Sequence, residues 1–176
     1  MDNLTTEQFI RAFLPIAVET ERDTGMPRFY ALAMHITEQG RNSHPPGNMC
    51  FGIKAGPNWH GQRQLLRTWE VFSSPAVKWP FQVLSVTRRP EDGKYRYELF
   101  DEFRAYGSIK ESYLDHAAFL KGNPRYAAAW HQTGNDLAFM AAVIAAGYAT
   151  DPAKLRIMTD TMNWLKKKSL DYALSS

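Results

Sequence analysis

Cysteine is nearly absent from this chain: one residue, Cys50, in 176. A lone cysteine excludes an internal disulfide, and its place between Met49 and Phe51 predicts a buried thiol rather than a nucleophile. Metal-ligand patterns are missing as well. The five histidines, His35, His44, His60, His116 and His131, include no pair at the spacing of a helical zinc motif, and no cysteine cluster accompanies them. Metal catalysis is therefore disfavoured, and no cofactor is expected. No run approaches the roughly 18 apolar residues of a membrane span. The opening MDNLTTEQFIRAF lacks a basic start followed by an apolar stretch, which predicts that the chain is not a Sec-exported precursor. Charge of one sign is not in large excess either. Against 18 Asp and Glu stand 21 Lys and Arg, a formal net charge of +3, and the pI is near 9.0. That balance suits an anionic cell wall and many unrelated partners, so charge does not decide the function. The run Lys166, Lys167, Lys168 falls near the end of a predicted helix, where cations complement the dipole, and it does not point to nucleic acid. Internal repeats and Ser/Gly/Pro linkers are also absent, so a single domain over 1–176 is expected, long enough to bury about 70 per cent of its unfolded surface.

What is present is helical periodicity around one interruption. Apolar spacing and caps predict helices at about 5–22, 27–39, 108–121, 124–133, 135–147 and 152–172. Thr5 or Thr6 can cap the first, Ser108 with Glu111 forms a capping-box pattern, and Asp151 before Pro152 caps the last. Between about 63 and 103 the period changes. RQLLRTWEV, QVLSVT and KYRYELF read as strands, the last two joined by the Pro-Glu-Asp-Gly turn at 90–93. The fold class expected is α+β, mostly helical, with a small β lobe.

The segment PRFYALAMHITEQG opens with Pro27, carries Phe29, Leu32, Ala33 and Ile36 at helical spacing, and stops at Gly40. Glu38 thus falls in the last helical turn, where the partial negative charge of the helix end disfavours a carboxylate and stability alone would select a lysine. A structured loop follows, NSHPPGNMCFGIKAGPNWHG, with four Gly and three Pro. Its Phe51, Ile53 and Trp59 are too apolar for a solvated linker and are expected to wall in Glu38. A carboxyl group in that setting is a candidate catalytic acid.

These residues resemble a known family. A helix ending in Glu-x-Gly, followed by Asn-x-x-Phe-Gly-Ile-Lys at 48–54, then EFRAYGSIKESYLDHAAFL (102–120), NPRYAAAW (123–130) and AGYATDP (146–152), is similar to the bacterial endo-β-N-acetylglucosaminidases of autolysins and flagellar peptidoglycan hydrolases. The resemblance covers roughly 8–160 in order. It implies a lysozyme-like fold and hydrolysis of the peptidoglycan glycan strand after N-acetylglucosamine, with Glu38 matching the catalytic acid and Tyr148 the active-site tyrosine. Two departures stand out. The family continues its Glu with a small hydroxyl residue, Gly and Trp, whereas Gln39, Gly40 and Arg41 follow here. The segment VFSSPAVKWPFQVLSV is inserted in the β lobe.

Glycoside hydrolysis needs an acid for the departing oxygen and, usually, a second carboxylate for the oxocarbenium-like centre. Glu70 of RTWEV, where the family carries Thr-x-Glu, is the candidate, with Glu98, Asp101 and Glu102 as competitors and the sugar's own acetamido group as the alternative. Arg41, Trp59, Trp69 and Tyr106 are the candidate sugar contacts and Trp79 a further flat face, with Trp59 and Trp69 favoured for the cleft, while Phe103, Arg104 and Tyr106 are alternatively expected to tie the β lobe back to the helices, Arg104 pairing with a carboxylate. The expected partner is the peptidoglycan glycan strand, not nucleic acid or a membrane. Without a leader, such an enzyme would reach the periplasm by phage lysis or by injection as an antibacterial toxin, and an injected toxin implies a cognate immunity protein. A lytic transglycosylase or muramidase on the same fold, and an inactive wall-binding module, are the alternatives.

Overall fold

Helical spacing and caps become helices close to where they were expected. The computed structural model describes residues 3–149 and 153–175, with side chains described up to Leu170. α1 spans Thr6–Thr24, its N-cap Thr5 accepting from the Gln8 amide while Gln8 returns the bond to Thr5 in a capping box. α2 spans Arg28–Gln39. After the β segment come α3, Ile109–Gly122, then a short 3-10 turn Pro124–Tyr126 running into α4, Ala127–Trp130. α5, Asp136–Ala145, and α6, Lys154–Ser175, complete the chain. Ser108 accepts from the Glu111 amide, but the Glu111 carboxylate turns to the Gly107 amide at 3.0 Å, one residue short of the reciprocal bond of a capping box. The Asp151 cap lies outside the described residues.

Two compact units emerge, residues 1–51 with 106–176, and residues 52–105. The β unit thus starts at Gly52, ahead of its first strand. β1 (Arg63–Phe72), β2 (Val83–Arg88) and β3 (Tyr95–Arg104) form an antiparallel sheet in the order β1-β3-β2. β3 is central, and beyond β2 its free edge is taken by the loop: the Ala55 amide donates to the Glu102 carbonyl and the Arg104 amide to Ile53, each at 2.9 Å. Period-two alternation gives the sheet two faces. One carries Leu66, Thr68, Glu70, Phe72, Tyr97, Leu99 and Asp101, and the other Leu65, Arg67, Trp69, Glu98 and Glu102.

The helical unit is built around Phe9, Ile10, Tyr30, Leu32, Met34, Leu120, Phe139 and Met140, all fully buried. Cys50 is among the buried residues, and burial pushes its thiol up to about 12 although Ser112 hydrogen bonds to it, so it is inert as expected. Two histidines are enclosed in this core. His35 Nδ1 lies 2.9 Å from the Tyr113 hydroxyl and His116 Nε2 lies 3.1 Å from the Tyr30 hydroxyl. Phe51 stacks on His116 at 4.1 Å with its plane 8° off parallel.

Burial depresses both imidazoles to about 3 from an ordinary value near 6.5, so both are neutral at physiological pH. In the unfolded chain they take up protons near pH 6.5, so between about 6.5 and 3 the unfolded state binds more protons. The stability these neutral rings contribute is complete above that window and is lost as pH falls through it, at about 1.4 kcal/mol per pH unit per histidine. Melting temperature is therefore expected to fall steadily on acidification below pH ~6.5, and His116→Gln to flatten the slope even while lowering stability overall. Parallel slopes for the wild type and His116→Gln would show that His116 is not a neutral, enclosed ring.

Candidate active site

Where α2 stops decides where Glu38 sits. Gly40 closes the helix with its amide donating to the Ile36 carbonyl at 2.8 Å, which leaves Glu38 in the last turn. Its Oε1 accepts from Lys154 Nζ at 2.7 Å. The lysine side chain is only 16 % exposed and that of Glu38 29 %, so this is a partly desolvated pair rather than a solvated surface contact. Lys154 is the opening residue of α6.

Tyr148 belongs to the same group. α5 ends as the Gly147 amide donates to the Ile144 carbonyl at 2.9 Å, and Gly147, at φ 84°, turns the chain so that Tyr148 comes back over the helical core. Its ring meets His116 edge-on at 5.8 Å and Tyr126 at 6.1 Å. Burial raises the Tyr148 phenol well above its ordinary value, and the negative charge of Glu38 raises it further, followed by Tyr126. The same influences act on Tyr30, where burial dominates and Tyr148, Tyr126 and Glu38 add to it. Both hydroxyls keep their protons at neutral pH. A carboxylate, an ammonium and a protonated phenol are thus gathered at one end of α2, backed by a stacked aromatic layer of Phe51, His116 and Tyr30.

In the β unit Glu70 is held by Lys54, which also bonds Asp101 at 2.8 Å. Burial lowers Lys54, but the hydrogen bonds to Asp101 and Glu70 outweigh it and the ammonium is held above its ordinary value. The competing carboxylates on the other face are occupied by guanidinium groups, Glu98 by Arg67 and Glu102 by Arg63, each at 2.7 Å. The sheet therefore separates an acidic pair sharing one cation from two arginine-bound glutamates.

The remaining predicted contacts divide. Trp69 is 55 % exposed, carries Arg96 over its ring at 5.0 Å, and borders a cavity of about 260 Å3 with Val71, Arg89 and Glu91. Trp59 has Arg104 over its ring at 4.4 Å and donates its indole N–H to the Gln62 carbonyl. Trp79 donates to the Phe100 carbonyl and tilts against Phe72. Arg41 turns to α1, donating to the Thr6 hydroxyl at 3.0 Å, and lines a cavity of about 350 Å3 with Ile36, Asp160, Thr161 and Trp164. Tyr106 does not fit the expectation of an open sugar platform: it is 6 % exposed and its hydroxyl donates to Asp115 at 2.7 Å, because the chain folds its ring inward where α3 begins. Lys154, Tyr126 and His116 were missed as neighbours of Glu38 and Tyr148. One signal for Lys154 was available, a lysine where the dipole of a helix N-terminus disfavours it.

A family model described as mannosyl-glycoprotein endo-beta-N-acetylglucosaminidase matches residues 14–166, a span that takes in Glu38, Glu70, Tyr148 and Lys154. The chain is 31 % identical over 166 residues to the peptidoglycan hydrolase FlgJ of Salmonella typhimurium, covering 90 % of this chain and 46 % of that protein. To FlgJ of Pseudomonas aeruginosa it is 29 % identical over 159 residues, covering 86 % and 35 %. The chain thus spans less than half the length of these curated relatives. Among solved structures, the C-terminally truncated glycoside hydrolase domain of Salmonella typhimurium FlgJ superposes with a TM-score of 0.67 at 27 % identity, covering 93 % of this chain and 99 % of that one. A peptidoglycan hydrolase from Sphingomonas sp. A1 gives 0.64 at 27 % identity, with 94 % of each chain covered.

The shared cation in the β unit has a measurable consequence. Lys54→Met leaves Glu70 and Asp101 facing each other uncompensated, which is expected to cost on the order of 1 kcal/mol of stability at neutral pH. Adding Asp101→Asn should recover most of the loss. A loss unrelieved by the second substitution would mean that Lys54 matters only through its stem.

Proposed function

Because this chain belongs to the glucosaminidase family of glycoside hydrolases, we propose that it hydrolyses the glycan strand of peptidoglycan after N-acetylglucosamine, with Glu38 as general acid. The observation that carries this reading is the carboxyl group of Glu38 in the last turn of α2, paired with Lys154 and neighboured by the protonated phenol of Tyr148. In its protonated form Glu38 gives its proton to the glycosidic oxygen as the bond to the anomeric carbon breaks. The Tyr148 hydroxyl, which keeps its proton, is suited to donate a hydrogen bond to the sugar or its acetamido group. Water then adds its hydroxide to the anomeric carbon and loses a proton to a carboxylate.

Glu70 is the carboxylate proposed for that last step. The support is chemical: its family position in Thr68-Trp69-Glu70, and a Lys54 ammonium that keeps it oriented beside Asp101 while Glu98 and Glu102 are engaged by arginines. Substrate assistance by the acetamido group would dispense with Glu70 altogether. On this reading the chain meets its substrate outside the cytoplasmic membrane, where the sacculus lies.

Digestion of purified sacculi should release fragments with a new reducing-end N-acetylglucosamine, and Glu38→Gln should fold normally while lowering the rate roughly 100- to 10,000-fold, because the amide keeps the shape but cannot give the proton. A 1,6-anhydro product would identify a transglycosylase instead, and retention of more than about a tenth of the rate would remove Glu38 from the role of acid. Separately, Glu70→Gln should slow cleavage far more than Glu98→Gln, with unchanged melting in both. Equal, mild effects would point to the acetamido group.

A further inference from the structure

Glu38 and Lys154 stand at the ends of their helices where the dipole disfavours them. Glu38 lies at the C-terminal end of α2, which carries partial negative charge, and Lys154 opens α6, whose N-terminal end carries partial positive charge. Each placement weakens its own helix. Glu7 and Arg22 in the first and last turns of α1, Glu111 and Lys121 in those of α3, and Asp136 opening α5 follow the stabilising rule, while Arg28 opens α2 against Glu21 in the last turn of α1 and Lys110 in the first turn of α3 meets Asp23 in that same last turn. Glu38 and Lys154 are one of several such pairs joining helix ends, and they meet at 2.7 Å. There the carboxylate is set against the favourable pole of α6 and the ammonium against that of α2, so the two misplacements offset each other.

From this geometry we infer that Lys154 is a positioning residue for Glu38, fixing the orientation of the carboxyl group. The inference rests on Glu38 being the acid of the proposed reaction. When the proton passes from Glu38 to the glycosidic oxygen, the charge left on the carboxyl group forms beside a cation already in place, which favours the transfer without reorganisation. The groups around Glu38 are Lys154 from α6, Tyr148 from the loop after α5, Tyr30 from α2, and Tyr126 behind Tyr148 with the Arg125 guanidinium over its ring at 5.5 Å. Of these, Lys154 is the charged group bonded to the carboxylate.

The test is kcat and KM on sacculi for the full chain carrying Lys154→Met or Lys154→Arg. Lys154→Met should lower kcat roughly ten- to hundredfold with KM within about twofold. Lys154→Arg, which keeps the charge and can still donate to the carboxylate, should restore most of kcat. Activity lost in Lys154→Met only in proportion to folded protein, or no rescue by Lys154→Arg, would reduce Lys154 to a structural contact and overturn the inference. Should the wild type release no glycan fragments, the proposed function fails on its own. The pair is then judged by the carbon-13 chemical shift of the Glu38 carboxyl carbon at neutral pH, where coincident values for the wild type and Lys154→Met would overturn the positioning role.

Discussion

The position of Glu38 depends on one backbone conformation. Gly40 ends α2 at φ 66° and ψ −149°, a region that residues bearing a Cβ avoid, although a Cβ at this position would meet only open space. The constraint is torsional, not steric crowding. By turning the chain at this point, Gly40 leaves Glu38 in the final turn and sends Arg41 and Asn42 across the N-terminal segment, where the Leu4 amide donates to the Arg41 carbonyl at 2.9 Å and Asn3 bridges Asn42. The exit of α2 is thereby fixed from both sides of the sequence. Gly147 does the corresponding work for Tyr148 at the end of α5.

Behind these two residues stands an apolar layer containing polar groups that do not ionise at neutral pH. His116 is stacked by Phe51, met edge-on by Tyr148 and hydrogen-bonded to Tyr30, so one neutral imidazole touches the backing of the site at three places. Keeping that ring neutral avoids an uncompensated buried charge. It also leaves the Glu38–Lys154 pair as the charged feature of this group among the described residues, in a setting where partial desolvation strengthens it.

Much of this was legible from residue order. Three- and four-residue spacing located the helices, Thr5 and Ser108 marked two of their starts, and alternation in RQLLRTWEV and KYRYELF located β1 and β3, because each of those signals is local. The order β1-β3-β2 and the pairing of residues 53–55 with the end of β3 were not legible, since they are set by long-range hydrogen bonding rather than by pattern. Tyr106 shows the same limit for side chains: its sequence neighbourhood allowed an open ring, and only the Asp115 carboxylate on α3 explains why it is buried. Glu38 could be singled out because a helix end disfavours it, and the same rule marks Lys154, though it marks Arg28 and Lys110 equally. That Glu38 and Lys154 meet, 116 positions apart, needed the packing of α2 against α6.

The central claim is that the group at position 38 faces the bond that breaks. A crystal structure of the Glu38→Gln variant with an uncleaved peptidoglycan glycan tests it most directly. The account predicts the bridging oxygen after N-acetylglucosamine within about 3 Å of the introduced amide, with Lys154 still on the same side chain. A glycan seated with that oxygen against a different carboxyl group, and the residue-38 amide turned to solvent, would contradict it.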